Sequence, residues 1–539
     1  MSNFISNAST SNSSPLIMSR DKIIEEVNME FHNIKFPSLK EGEYNFNLFP
    51  ENPNYKFGIL KIKIADTPII TSEQSIDASI DISGSMESTC DDGQSKMHHA
   101  NHSIKNIINV IGTSENTSVE MSVCGFDNDI KTIFTDKKVT MDSINELRQQ
   151  INNLIPRNST DIYKSVEMQK ERSIERSNKN SNTRQFNITM TDGQTNCGKS
   201  LDYLQISSQV PENSTNVFIG YGKDHNAVGL QLLADIKPNG MYLYIPELEK
   251  SGLILGELMH LILYTALTNI TIEIFDGEIH NFKNNTWSNK LEISSLVGES
   301  TKTFHIRSLN PDIVEASITA QSMIHNETEP SLIENNIFPI PALIEDDVSN
   351  PIEIIPECDL SIEILRLQTQ ILMFKAHEYS LTACVMKDNV IMKSIKEELK
   401  DYIKFLNQYA EENNQKDNEM LILFISDITI ILKTFGSERA AMYSGVRSES
   451  QGRQTSNTIY HIDEEDIYRN RKIHRRNNGL QRQNACDILN NSDDDDEYDE
   501  EDNNIPPPPS KLTREYTTPR QMTMMRGVSE GGTYLQELN

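Results

Sequence analysis

Between Ser75 and about Tyr264 the chain alternates between two hydrophobic periods. Short runs at 75–81, 118–125, 129–134, 184–191, 215–221 and 241–245 have strand character. Between them apolar residues recur at helical spacing. Met97, Ala100, Ile104, Ile107, Ile108 and Ile111 mark one face, and Met141, Ile144, Leu147, Ile151 and Leu154 mark another. Both stripes read as core-facing sides of helices. Alternation of this kind predicts a doubly wound α/β sheet, in which ligands bind outside the carboxyl ends of the strands.

On either side the pattern differs. Residues 1–20 are Ser- and Asn-rich and read as disordered, and Tyr55–Ile64 within 50–70 has strand composition. After the α/β region (75–264), Ile270–Ile274, Lys302–Ile306 and Ile313–Ala320 look like strands without intervening helices. Residues 265–345 are therefore expected to form a small β-sandwich, completed by the strand at 55–64, with the α/β domain inserted between its two segments. From 358 to 436 the chain turns helical, and Ile395, Leu399, Tyr402 and Leu406 are spaced as a bundle seam. Residues 437–539 read as a disordered tail, with a nearly continuous acidic run at Asp493–Asp502 and a polyproline stretch at Pro506–Pro509.

Charge and composition narrow the function classes. A net charge of -29 argues against non-specific binding to nucleic acid or to anionic membranes. The 6 cysteines are scattered without a C-x-x-C pair, which excludes a dense disulfide framework and argues against a zinc ribbon or RING. Met1–Ser19 lacks the apolar core of a signal peptide. The longest apolar stretches, Gly252–Leu267 and Met420–Leu432, are short for a membrane span and carry Glu257, His260 and Asp427. An intracellular, cytoplasmic protein is expected.

The chemistry concentrates where the first strand of the α/β region ends. Asp81-Ile82-Ser83-Gly84-Ser85 places three oxygen-bearing side chains at alternate positions on a tight turn, a pattern that can converge on one hard cation. Alone, D-x-S-x-S is equally a capped strand-to-helix turn. It gains force from Thr160 in Asn158-Ser159-Thr160-Asp161 and Asp192 in Met190-Thr191-Asp192-Gly193. Together these resemble the metal-ion-dependent adhesion site of von Willebrand factor A (VWA) domains. Phe218-Ile219-Gly220-Tyr221-Gly222 is similar to a strand and glycine turn late in that fold.

The resemblance covers roughly residues 75–262 and implies a Rossmann-like VWA domain. By that resemblance Ser83 and Ser85 would ligate Mg²⁺ (or Mn²⁺) directly, and Thr160 directly or through water. Asp81 and Asp192 would act mostly through bound waters, and a Glu or Asp of a protein partner would fill the sixth position. The chain departs from the family at the threonine loop, where relatives more often carry Gly-Gly-Thr-Asn. The wider layout resembles intracellular VWA proteins of plants, bacteria and large DNA viruses. The Asn/Ile/Lys-rich composition is similar to that of proteins from AT-rich genomes, including giant viruses of amoebae. No Cys/His cluster supports the RING of some plant relatives.

Other constellations are weaker. His98 and His102 have the spacing of a zinc pair, but His99 stands where H-E-x-x-H needs Glu, so the three histidines read as solvent-facing. Asp127 and Asp129 read as loop residues. Gly220-Tyr221-Gly222 lacks the third glycine of a dinucleotide fingerprint. A phosphotransferase resembling the haloacid dehalogenases would need a carboxylate where Ser83 stands. Three functions therefore stay open: a Mg²⁺-dependent protein-interaction module, a scaffold with a vestigial metal site, and, as the weakest, a metal-dependent phosphotransferase. The module, a non-enzyme, is the principal expectation.

Overall fold

The computed structural model describes residues 23–35, 48–343 apart from gaps at 71, 91–92, 115–116, 158, 194–199, 223–224, 238, 246–250, 311, 326 and 328, then 356–383, 389–436, 440–454 and 518–530. Residues 1–20, the acidic run and the polyproline stretch lie outside them. Strands β1 (Ile24–Phe31) and β2 (Lys56–Ile64) lead into an α/β unit. This runs β3 (Gln74–Asp81), α1 (Lys96–Thr113), β4 (Val119–Phe126), β5 (Ile130–Lys138), α2 (Ile144–Ile151), α3 (Ile162–Lys179) and β6 (Arg184–Thr191). It continues through α4 (Ser200–Ser208), β7 (Ser214–Tyr221), α5 (Ala227–Asp235), β8 (Met241–Ile245) and α6 (Ser251–Tyr264). The sheet order is β5-β4-β3-β6-β7-β8, parallel throughout except for the edge strand β5.

Central strand β3 is buried along its whole length, and its two faces differ in chemistry. Ile76, Ala78 and Ile80 join the core that includes Ile104, Ile107 and Ile111 of α1. Ser75, Asp77, Ser79 and Asp81 alternate onto the other face, where α3 supplies polar partners. Gln169 Nε2 donates to Asp77 O (3.1 Å), while Arg172 and Arg176 reach the Asp77 carboxylate at 3.2 Å each. The carboxylates on this polar face are tolerated because they are paired.

A sandwich follows, formed by β9 (Thr265–Phe275), β10 (Glu278–Asn281), β11 (Thr286–Ser288), β12 (Lys290–Val297), β13 (Thr301–Ser308), β14 (Ile313–Ser322) and β15 (Ser331–Pro339). One sheet has the order β1-β2-β13-β10-β11 and the other β12-β9-β14-β15, with every neighbouring pair antiparallel. Leu60, Ile62 and Ile306 of the first share a core with Ile272, Ile274 and Ile318 of the second. Because β2 lies between β1 and β13, the α/β unit is inserted into the sandwich. Strand β1 was not expected from the sequence.

Helices α7 (Ser361–Ala383), α8 (Asn389–Glu412) and α9 (Glu419–Thr434) enclose a third core that contains the Ile395, Leu399, Tyr402 and Leu406 seam. Two more helices, α10 (Ala440–Arg453) and α11 (Pro519–Glu530), fall inside the stretch read as a disordered tail, which corrects that reading. Both carry too few apolar residues to announce themselves. Two kinds of contact fix α10: Met442 and Tyr443 join a hydrophobic core with α5 and β8, while Arg447 ion-pairs with buried Asp427 of α9 and Gln451 Nε2 donates to the same carboxylate at 2.9 Å. What fixes α11 is a short apolar stripe: Met524 and Val528 join the α/β core with α1 and α6, and Met525 is buried with its backbone against Gly256 of α6.

A second correction concerns α2. It begins only at Ile144, and Met141 is 58% exposed. None of the described helices is long and apolar enough to cross a membrane.

Candidate metal centre

Asp81 is the last residue of β3, and the chain turns sharply beyond it. Asp81 Oδ1 accepts the Ser83 amide at 2.8 Å, so the carboxylate shapes its own loop. A 3₁₀ turn over Gly84–Glu87 follows, anchored by fully buried Met86. The loop is tied to its surroundings through Ile82, whose N–H donates to Phe126 O at 2.9 Å and whose carbonyl accepts the Arg157 amide at 2.6 Å.

The side chains converge from three loops at the carboxyl ends of β3 and β6. Ser83 Oγ and Ser85 Oγ lie 2.9 Å apart, and Ser85 Oγ donates to Asp192 Oδ1 at 2.7 Å. Thr191 Oγ1 donates to Asp81 Oδ2 at 2.5 Å. Gly193 locates Thr160 within the same group. A Cβ built at Gly193 would stand 3.3 Å from Thr160 Oγ1, 3.8 Å from Asp81 Oδ2 and 4.0 Å from Ser85 Oγ. The structure thus brings Asp81, Ser83, Ser85, Thr160 and Asp192 together. Of these, Ser85 is exposed at the mouth, and the other four are buried.

Burial in this setting raises the Asp81 pKa to about 6, against the hydrogen bonds from Thr191 and Ser83; nearby Asp192 adds to the rise. Two carboxylates and three hydroxyls around one space suit a hard cation that prefers oxygen ligands and retains waters. Lys96 Nζ, which ion-pairs with Asp192 Oδ2, is a cation already held at the same carboxylate. On donor chemistry and geometry the residues fit a divalent metal. Among the described residues no group of three or more His, Cys, Asp or Glu is placed to hold one, so hydroxyls have to complete any site here.

Sequence reasoning missed Asp127. It is fully buried; its Oδ2 takes Arg157 Nε at 2.8 Å and its carbonyl takes the Asp161 amide at 2.8 Å. Asp127 therefore fastens the threonine loop to the end of β4, and the Asp127-Asn128-Asp129 run after a strand was the only signal. Asp129, by contrast, is exposed. The histidine reading also needs correction: His98 and His102 are exposed, but His99 is buried against α1's inner side. Just beyond the carboxyl end of β7, Gly222 adopts φ +67°, and a Cβ at Gly220 would fall on the His225 ring. This is packing chemistry, with His225 Nε2 and Tyr242 Oη 2.5 Å apart.

Comparison with known families matches residues 78–257 to the von Willebrand factor type A domain. Among solved structures the chain is similar to von Willebrand factor type A from Catenulispora acidiphila at 12% identity, covering 76% of this chain and 92% of that one with a TM-score of 0.48. It is also similar to the ArnB paralog VWA2 from Sulfolobus acidocaldarius, at 14% identity over 79% and 98% of the two chains with a TM-score of 0.44. A third similar structure, at 20% identity over 36% and 49% with a TM-score of 0.30, is proximal thread matrix protein 1 from the mussel byssus with a zinc-occupied MIDAS motif. No curated protein matches the chain. The strand order, the loop at the end of β3 and the family match agree: the α/β unit of this chain is a von Willebrand factor type A domain.

Proposed function

We propose that this protein is a divalent-cation-dependent protein-interaction module that captures a Glu or Asp side chain of a partner. The observation that carries the reading is the convergence of Ser83, Ser85 and Thr160 hydroxyls with the Asp81 and Asp192 carboxylates on one space at the carboxyl end of the sheet. VWA domains are interaction modules, and similar solved structures include one whose adhesion site holds zinc.

The residues divide the work by side-chain chemistry. Ser83, Ser85 and Thr160 would hold Mg²⁺ or Mn²⁺ through their hydroxyls. Asp81, shaped by Thr191 and the Ser83 amide, and Asp192, bonded to Ser85, would supply the negative charge behind them. What the ion supplies when bound is an open position for a carboxylate. Exposed Ser85 puts that position at the mouth, where a partner can reach it. Holding an ion and a partner's carboxylate needs no bond to be made or broken, so binding without turnover is the expected outcome.

The test is a peptide-display selection against the full chain in Mg²⁺. Enriched peptides are expected to share an Asp or Glu, to elute with chelator, and to be absent when Asp192→Ala is the bait. Enrichment indifferent to chelator and lacking an acidic consensus would overturn the reading in favour of a scaffold whose contacts lie elsewhere.

A further inference from the structure

We propose that Lys96 is a built-in competitor for the metal: its ammonium holds the Asp192 carboxylate, and a divalent cation binds only by displacing it or sharing that carboxylate. The proposal deepens the metal-site reading and rests on it.

Lys96 reaches the site from an unusual position. It is the first residue of α1, a helix end that disfavours positive charge. The backbone nevertheless fixes it there. The Lys96 amide donates to Ser88 O at 3.0 Å, Cys90 N donates to Gln94 O at 2.8 Å, and Thr89 bridges Ser95 in antiparallel fashion. Ser95 caps the helix by accepting the His98 amide at 3.1 Å. The loop that bears the serines and the start of α1 are therefore one hydrogen-bonded unit, and Lys96 is aimed by it rather than swung in from a distant surface.

The contact itself is well placed for competition. The Asp192 side chain is 0% exposed and that of Lys96 23% exposed, so the pair is screened far less than a surface ion pair. Asp192 Oδ1 accepts from Ser85 at 2.7 Å and Oδ2 from Lys96, so each oxygen already serves a donor and the carboxylate's charge is already paired with the ammonium. A divalent ion beside Ser85 has to take over an oxygen of this carboxylate or approach a like charge. Lys96 thus weakens metal binding and lets the site exchange its ion readily. An arriving carboxylate adds negative charge that offsets the repulsion, so metal and acidic ligand favour each other.

The experiment titrates Mn²⁺ and Mg²⁺ calorimetrically into the full-length wild type, Lys96→Met and Lys96→Arg, with thermal unfolding of each in metal and in chelator. Repulsion of this kind sets the expected effect at about tenfold or more. Lys96→Met should bind about tenfold tighter or better, with a lower midpoint in chelator and a larger rise on adding metal. Lys96→Arg should stay near wild type. A lysine with only a structural role would lower the midpoint equally in metal and chelator. Equal affinity in all three proteins overturns the competition while leaving the metal site standing, as does weaker binding by Lys96→Met. Failure of all three to bind either metal overturns both the site and the proposal. Lys96→Gln replaces Lys96→Met if the latter does not fold.

Discussion

Gly256→Leu is expected to detach helix α11 and destabilise the protein by about 3 kcal/mol, the upper end of what overpacking a core typically costs. A Cβ at Gly256 would stand 2.4 Å from Met525 Cα and 2.7 Å from Met525 N. These are backbone atoms, so no rotamer change relieves the clash and the helix as a whole has to move. With it go Met524 and Val528 of the α/β core, buried Met525, and the bond from Asn106 Nδ2 to Val528 O at 2.7 Å. Arg520, which lies over the Tyr264 ring at 4.5 Å and ion-pairs with Asp66, would be lost from the same face. Chemical unfolding of the full chain measures the loss, and hydrogen exchange over 519–530 and α1 locates it. Met525→Asp should reproduce both effects by burying a carboxylate without a partner. An unchanged midpoint with protected amides in α11 would show that the helix does not depend on this groove.

The second large effect belongs to the polar face of β3. Arg176→Met is expected to cost about 3 kcal/mol or more, because it leaves part of a buried ionic network unpaired. Arg176 reaches Asp77 at 3.2 Å, Asp136 at 2.7 Å and Ser122 Oγ at 2.8 Å, and is itself 7% exposed. It thereby joins α3 to three strands, β3, β4 and β5. Burial pushes the Asp77 carboxyl pKa upward, with Arg172 and Arg176 opposing the rise. Losing one guanidinium leaves that opposition to Arg172 alone. The paired variant Asp77→Leu with Arg176→Met should recover much of the stability, as apolar replacements of buried ion pairs often do. A cost below 0.5 kcal/mol for the single variant, typical of surface changes, would contradict this account.

These two sites also mark what the sequence could and could not convey. Strands β3, β4, β6, β7 and β8 and the faces of α1 and α8 were legible because apolar residues recur among their buried positions, and the edge strand β5 through its β-branched and aromatic residues. Asp81, Ser83 and Ser85 were legible as a D-x-S-x-S turn at a strand end, whereas Thr160 and Asp192 were joined to them only by the resemblance to VWA domains. Gly256 was not legible, although a glycine inside an apolar helix costs about 1 kcal/mol and so marks close approach. Its partner stands 269 residues later, between Ser and Met residues without a strong helical period. Asp77 was hidden for a related reason. Its partners Arg172 and Arg176 lie on α3, whose spacing of four places both on one side, but nothing local says which strand they meet. Asp127 was set aside as a loop residue because its role is to join two loops distant in sequence. Local pattern reveals elements and the motif at their ends, while pairing between elements needs the fold.

The central claim is that Asp81, Ser83, Ser85, Thr160 and Asp192 form a functional divalent-cation site. Thermal unfolding of the full chain in Mg²⁺ and in chelator, beside Asp192→Ala, tests it most directly. At ~100 times its dissociation constant the ion should add about 2.7 kcal/mol to stability, and so raise the midpoint of the wild type alone. An identical midpoint in Mg²⁺, Mn²⁺ and chelator for the wild type, or an equal rise in Asp192→Ala, would contradict the claim.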